Sequence, residues 1–294
     1  MMELAGKTAV ISGGADGIGR NLAETLGRAG MNIVIADIEA GQLAVTEKAL
    51  TEAGIEVLAV EMDVALLEDW QRTASLACER FGKVHMLINN AGVSGGIGAI
   101  ETLDDPGWRW TIDVNLMGVV YGANTFVPLM KQQGEPGWVI NVASIAGMAG
   151  APMGGAYTAT KAAVVALSEA WNLELASHNI YVAVLAPAFV QTRIHKSYRN
   201  RQPRYAPTVA PGPDVLQIAK TTSKAVEGGI DVNIVGQRVM EALAAKELYI
   251  FTHPSYRPIT DHRSAAVSEA FAHAADSPLL ADIKNLKIVS FDSE

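Results

Sequence analysis

The chain has 294 residues, 49% of them apolar and 18% charged, with a formal net charge of −8. That balance favours a packed core and excludes extended disorder, while the acidic excess argues against nucleic acid or an anionic membrane as the main partner. The one cysteine, Cys78, leaves neither an intrachain disulfide nor a cysteine-held metal cluster.

A strand pattern begins at Lys7 with no basic stretch and cleavage site before it, so no secretory signal is read and a cytoplasmic setting is expected. Short apolar, β-rich runs follow at 7–12, 31–36, 56–62, 85–89, 137–142, 180–185 and 248–252. They lack polar alternation, as strands buried on both faces of a parallel sheet do. Helical patterns lie between them, such as Ile18, Leu22, Leu26 and Ala29. Repeated β-α units predict an α/β fold with a doubly wound parallel sheet. The surroundings of Cys78 read as an amphipathic helix with an inert thiol. A helix is expected from Asp105 to Lys131 with Pro106 at its first position.

The apolar run from Ile180 is too short to span a bilayer and contains Pro187. Residues 188–229 carry Pro203, Pro207, Pro211, Pro213 and Gly228-Gly229. They read as a long irregular connection that serves as a lid. After Thr252 a helix is expected from Arg257 to Ala275. The predicted organisation is one domain over 1–256, lid included, and a C-terminal extension over 257–294.

The first strand ends in Ser12-Gly13-Gly14-Ala15-Asp16-Gly17-Ile18-Gly19 and runs into a helix. Glycines at 13, 17 and 19 permit positive φ and close approach of a pyrophosphate, and the helix N-terminus offers free N–H groups. The spacing is Gly-x3-Gly-x-Gly, and a plain tight turn is the alternative. Asp37 follows the second strand, where an acid accepts hydrogen bonds from an adenosine ribose and repels a 2′-phosphate. Ile38 and Glu39 offer no cation to such a phosphate and Asp16 disfavours it further, so NAD is expected over NADP. Asp37 also suits a helix N-cap. Asp63 and Val64 are placed at the adenine edge. Asn90, Ala91 and Gly92, after the fourth strand, allow backbone to approach the cofactor.

Tyr157-x3-Lys161 lies on one helix face. Ser144 precedes it, just after the fifth strand, and Asn115 lies in the long helix before that. Oxidising a secondary alcohol needs a base while hydride leaves carbon. Free tyrosine, with a pKa of about 10, is a poor base near neutrality. A lysine ammonium and a positive nicotinamide favour its phenolate. Lys161 supplies that ammonium and holds ribose hydroxyls, Ser144 hydrogen-bonds the substrate oxygen, and Asn115 positions a water linking Lys161 to solvent.

These marks together resemble the short-chain dehydrogenase/reductase family over roughly residues 5–252. The resemblance implies a seven-stranded Rossmann-like sheet, no catalytic metal, the four roles above, and a homotetramer or homodimer formed through helices near 105–132 and 153–178. It also implies that the segment after the sixth strand touches the nicotinamide end through Pro187, Val190 and Thr192. Ser12 stands in place of the usual threonine and Ala188 where glycine is common. The ending and the lid look, more loosely, like bacterial Cα-dehydrogenases of lignin-type aryl ethers, which suggests a benzylic secondary alcohol.

Ser94, Ile145, Ala146, Ala151 and Phe189 are the expected substrate contacts, with room for a bulky, weakly polar small molecule. The lid cations Arg193, Lys196, Arg199, Arg201 and Arg204 read either as an anion-recruiting cluster or as a solvated or subunit-facing loop, and His195 as an ordinary loop residue. The competing readings are an NADP-linked ketone reductase on acyl thioesters or steroids, a non-catalytic NAD-binding regulator or scaffold, and a sugar-nucleotide epimerase. The intact set of four opposes the regulator, and the glycine spacing opposes the epimerase.

Overall fold

The computed structural model describes residues 3–287. The apolar runs become its strands, β1 (Thr8–Ser12), β2 (Asn32–Asp37), β3 (Val57–Glu61), β4 (Met86–Asn89), β5 (Gly137–Val142), β6 (Ile180–Ala186) and β7 (Tyr249–Phe251). They are buried throughout at β1, β4 and β5 and partly exposed at the edges β3 and β7. All pair in parallel, in the order β3-β2-β1-β4-β5-β6-β7. The expected seven-stranded, doubly wound sheet is therefore present.

Alternation along each strand sorts the core into two layers. Ala9, Ile11, Ile33, Ile35, Met86, Ile88 and Ile140 face one way, against Leu22 and Leu26 of α1 (Gly17–Arg28) and Val235 and Val239 of α8 (Val232–Ala245). Val10, Val34, Leu87 and Val139 face the other way, against Trp70 of α3 (Leu67–Phe81) and Phe126 and Met130 of α5 (Gly118–Gln133). Because both layers are apolar, the strands carry no polar alternation. Cys78 lies on α3, half-buried, and burial pushes its thiol up, so it is a poor nucleophile.

Two elements differ from expectation. The helix starting at Asp105 forms, with Asp104 as its N-cap accepting from Gly107 N, and is interrupted by a π turn over Asp113–Met117 between α4 (Asp105–Ile112) and α5. The lid is not irregular throughout. It holds a 3-10 segment at Ile194–Asn200, another at Pro203–Tyr205, and the 15-residue helix α7 (Pro213–Glu227). Pro213 opens α7, where a missing N–H costs nothing.

The chain divides into two units, Met1–Thr252 and His253–Glu294. The second contains α9 (Arg257–Ala275), as expected, with Arg257 paired to Asp261 at 3.3 Å. Of the C-terminal extension, residues 288–294 lie outside those described. Among the described residues no helix is long and apolar enough to cross a membrane.

Candidate active site

The switch point of the sheet lies between β1 and β4, where successive connections run to opposite sides. A cavity of about 420 Å³ opens there. It is lined by the turn after β1, the ends of β2 to β6, and the lid.

The turn after β1 is held from several directions. Ser12 Oγ accepts from Asn90 N and Ala91 N, each at 3.1 Å. Asn90 Nδ2 donates to Ser12 O and Gly13 O, each at 2.9 Å. The hydroxyl at position 12 thus ties the ends of β1 and β4 together, and the Asn90 side chain braces the turn. Gly13 (φ +62°) has no room for a Cβ, which would stand 2.8 Å from Ala91 Cα. Gly19 does not line the cavity. A Cβ there would meet Gly13 O at 2.1 Å, so this glycine seats α1 against the turn.

The remaining expected cofactor contacts, Asp16, Gly17, Ile18, Asp37, Asp63, Val64, Ala91, Gly92, Pro187, Val190 and Thr192, all line the cavity. Gly17 (φ +53°) starts α1 and aims a helix N-terminus at it. A Cβ on Gly92 would find only ordinary contacts, Asn115 Oδ1 at 3.4 Å and Lys161 Nζ at 3.5 Å. Packing does not demand a glycine there, so the space it keeps clear fits a group bound beside Lys161. Asp37 does double service. Its oxygens accept from Ala15 N (3.1 Å) and Glu39 N (3.0 Å) while it lines the cavity. Burial raises its pKa, and those backbone bonds oppose the rise.

The lid brings cations to this corner that the local sequence does not show. Arg193 pairs with Asp16 and lies 3.8 Å from Glu39. Arg199 pairs with Glu39, Asn200 donates to Glu39 at 2.9 Å, and Arg204 pairs with Asp63. Arg201 lies over the Trp110 and Tyr198 rings, 3.9 Å from Asp104. The basic cluster is therefore largely internal: it joins the lid to the acids at the ends of β1, β2 and β3. Burial alone would raise Glu39, yet the bonds from Arg199 and Asn200 and the two guanidinium charges hold it below its ordinary value. Asp16, Asp37 and Glu39 still outnumber Arg193 and Arg199.

Ser144 follows β5 and caps a 3-10 turn, its Oγ accepting from Ala146 N at 3.2 Å. Tyr157 and Lys161 stand one turn apart at the start of α6 (Gly155–Leu175). Gly147 lets the 3-10 turn press on α6, since a Cβ would fall 2.5 Å from Lys161 O. Ser144 hydrogen-bonds Tyr157, and Lys161 Nζ lies 5.7 Å from the centre of the Tyr157 ring, donating to Val142 O at 2.8 Å.

Burial pushes the Tyr157 hydroxyl up, with the Ser144 bond opposing, and brings Lys161 down to about 8. The expected lowering of Tyr157 is thus not achieved by the protein's own residues, because desolvation outweighs them. Asn115 is fully buried on the π turn and does not line the cavity. Its Oδ1 accepts from Val93 N (2.8 Å) and its Nδ2 donates to Val93 O (3.0 Å). It anchors the segment after β4.

Ser94, Ile145, Ala146, Ala151 and Phe189 line the other half of the cavity. Met153, within the expected pocket stretch 151–155, lines it too; sequence reasoning missed Trp110 and, within the lid expected behind Phe189, did not single out His195 or the face Ile218, Thr222 and Val226 of α7 as pocket lining. The four-residue spacing of that face was a usable signal.

The chain matches the short chain dehydrogenase family model over residues 7–203. It is 33% identical to a CLA biosynthesis dehydrogenase/reductase of Lactiplantibacillus plantarum, over 90% of this chain and 93% of that protein. It is 30% identical to a C alpha-dehydrogenase of Sphingobium sp. strain SYK-6, over 95% and 90%. A short chain dehydrogenase/reductase of Burkholderia phymatum, solved in complex with NAD, superposes with a TM-score of 0.90 at 37% identity, covering 92% of this chain and 97% of its own. Sheet order, glycine turn, the Ser144–Tyr157–Lys161 cluster and these likenesses agree: the chain belongs to the short-chain dehydrogenase family.

Proposed function

We propose that the protein is an NAD-dependent dehydrogenase that interconverts a secondary alcohol and its ketone, on a bulky and weakly polar, aromatic skeleton. The observation that carries this reading is the hydrogen-bonded Ser144–Tyr157 pair over Lys161, in one cavity with the glycine turn and Asp37. The dinucleotide supplies a hydride acceptor or donor when bound. The chain's residues do the rest. Tyr157 takes the alcohol proton in oxidation and returns it in reduction. Ser144 donates to the substrate oxygen, and Lys161, beside the space kept clear by Gly92, holds ribose hydroxyls and favours the phenolate. Asp37 accepts from the adenosine ribose.

The NAD preference rests on Asp37 and on the formal negative excess around it. Arg193 and Arg199 favour a second reading, an NADP-linked reductase, because they place guanidinium groups at the same corner. The two are separated by initial rates with each cofactor on a panel of aryl carbinols and their ketones. NADP⁺ used as well as NAD⁺ would overturn the preference. A benzylic, lignin-type alcohol is the proposed substrate class, in keeping with the likeness to a C alpha-dehydrogenase.

A cytoplasmic setting and a homotetramer or homodimer built through α5 and α6 complete the reading. Light scattering coupled to gel filtration tests the assembly, and a monomeric mass would contradict it.

A further inference from the structure

We propose that His195 selects the substrate by accepting a hydrogen bond from a second hydroxyl group on an otherwise apolar alcohol. This rests on the function proposed above and names the substrate class of the same site. His195 belongs to the 3-10 segment of the lid and lines the cavity. Its side chain is 5% exposed, and neither ring nitrogen has a hydrogen-bond partner among the described residues. Leaving such a group unsatisfied costs about 1–3 kcal/mol, and native structures do so rarely. On α7 the wall is mostly apolar, Ile218 and Val226 with Thr222 the exception, while nearby in the chain Phe189 and Ile194 stand among Thr192, Arg193 and Ser197. A ligand in the cavity is the partner this arrangement calls for.

Glu227, the last residue of α7, sets the polarity. Its Oε1 lies 3.6 Å from His195 Nε2, too far for a hydrogen bond and near enough to favour a proton on that nitrogen. In the tautomer that carries its proton on Nε2, toward Glu227, the imidazole presents Nδ1 as an acceptor. A hydroxyl satisfies it, whereas a ketone or ether oxygen has no proton to offer. A carboxylate would set a second negative charge beside Glu227. The substrate class is thus a hydroxylated secondary alcohol, for instance a phenolic aryl carbinol.

The test compares kcat/KM for 1-phenylethanol, its three hydroxyphenyl positional analogues and their methoxy counterparts. Wild type, His195→Phe and His195→Asn are each assayed for NADH formation. In the wild type, one hydroxylated analogue is expected to exceed both the parent and its methoxy counterpart by about tenfold or more. That ratio is expected to fall to within about threefold in His195→Phe and to survive in part in His195→Asn, which keeps an acceptor. Equal use of hydroxyl and methoxy analogues by the wild type would overturn the inference without any variant. So would an unchanged ratio in His195→Phe. NADH formation without hydroxyl dependence defeats this inference alone. No NADH from any alcohol defeats the proposed function and this inference with it.

Discussion

Lys161 and the glycines show how single residues trade stability for binding. The Lys161 pKa is depressed from 10.5 to about 8 by burial. Between those values the unfolded chain holds more protons than the folded one, so stability rises with pH across that window, and below it the full penalty is present. The penalty is on the order of 3 kcal/mol. Lys161→Met is therefore expected to stabilise the cofactor-free protein at pH 7 by about 1–2 kcal/mol, after loss of the bond to Val142 O. The gain should shrink above pH 8, and activity should be lost. Urea melts at pH 7 and pH 10 check this; a destabilised variant at pH 7 would contradict it. Gly13→Ala and Gly92→Ala form a second contrast. The first forces a Cβ to 2.8 Å from backbone at φ +62° and should cost about 1–3 kcal/mol of stability. The second meets only ordinary contacts, so it should fold normally yet weaken NADH binding by tenfold or more, read by fluorescence titration. Because burial raises Tyr157 by more than the Ser144 bond lowers it, alcohol oxidation should accelerate with pH as the phenol ionises, while ketone reduction slows. A pH-independent oxidation rate between 6 and 10 would contradict this.

At the scale of elements, the lid is joined to the cofactor corner by charge. Glu39 receives Arg193, Arg199 and Asn200, and Asp63 receives Arg204. These groups are partly exposed, and such pairs contribute about 0–1 kcal/mol each and weaken with salt. Glu39→Gln is expected to speed trypsin cleavage within residues 193–204 several-fold, and 0.5 M salt should do the same to the wild type, a condition on the order of a Debye length of 3–5 Å. Unchanged cleavage in both would show that packing, not charge, seats the lid. None of this pairing was legible in the sequence, because the partners of Arg193, Arg199 and Arg204 lie 141 to 177 residues away. The strands were legible for the opposite reason: burial on both faces writes itself into local composition. Helix α7 was hidden by Pro203, Pro207, Pro211 and Pro213, which dominate a local reading although only the last of them enters the helix. The π turn at Asn115 leaves no periodic trace in five residues.

For the whole molecule, one parallel sheet sets the chemistry. Its switch point fixes the glycine turn, and the ends of β4, β5 and β6 bring Gly92, Ser144 and Pro187 to the same cavity as α6 brings Tyr157 and Lys161. The order of these residues in the chain made the set readable as a group before any geometry was known. Their mutual support was not readable, since Ser12–Asn90 and Asn115–Val93 pair across 78 and 22 residues. The role of Tyr157 is tested by NADH formation from an aryl carbinol by wild type and Tyr157→Phe, with NADH binding measured on both. Turnover by the wild type, a loss of about a hundredfold or more in the variant, and retained NADH binding are expected. A variant that oxidises the alcohol at the wild-type rate would contradict that role.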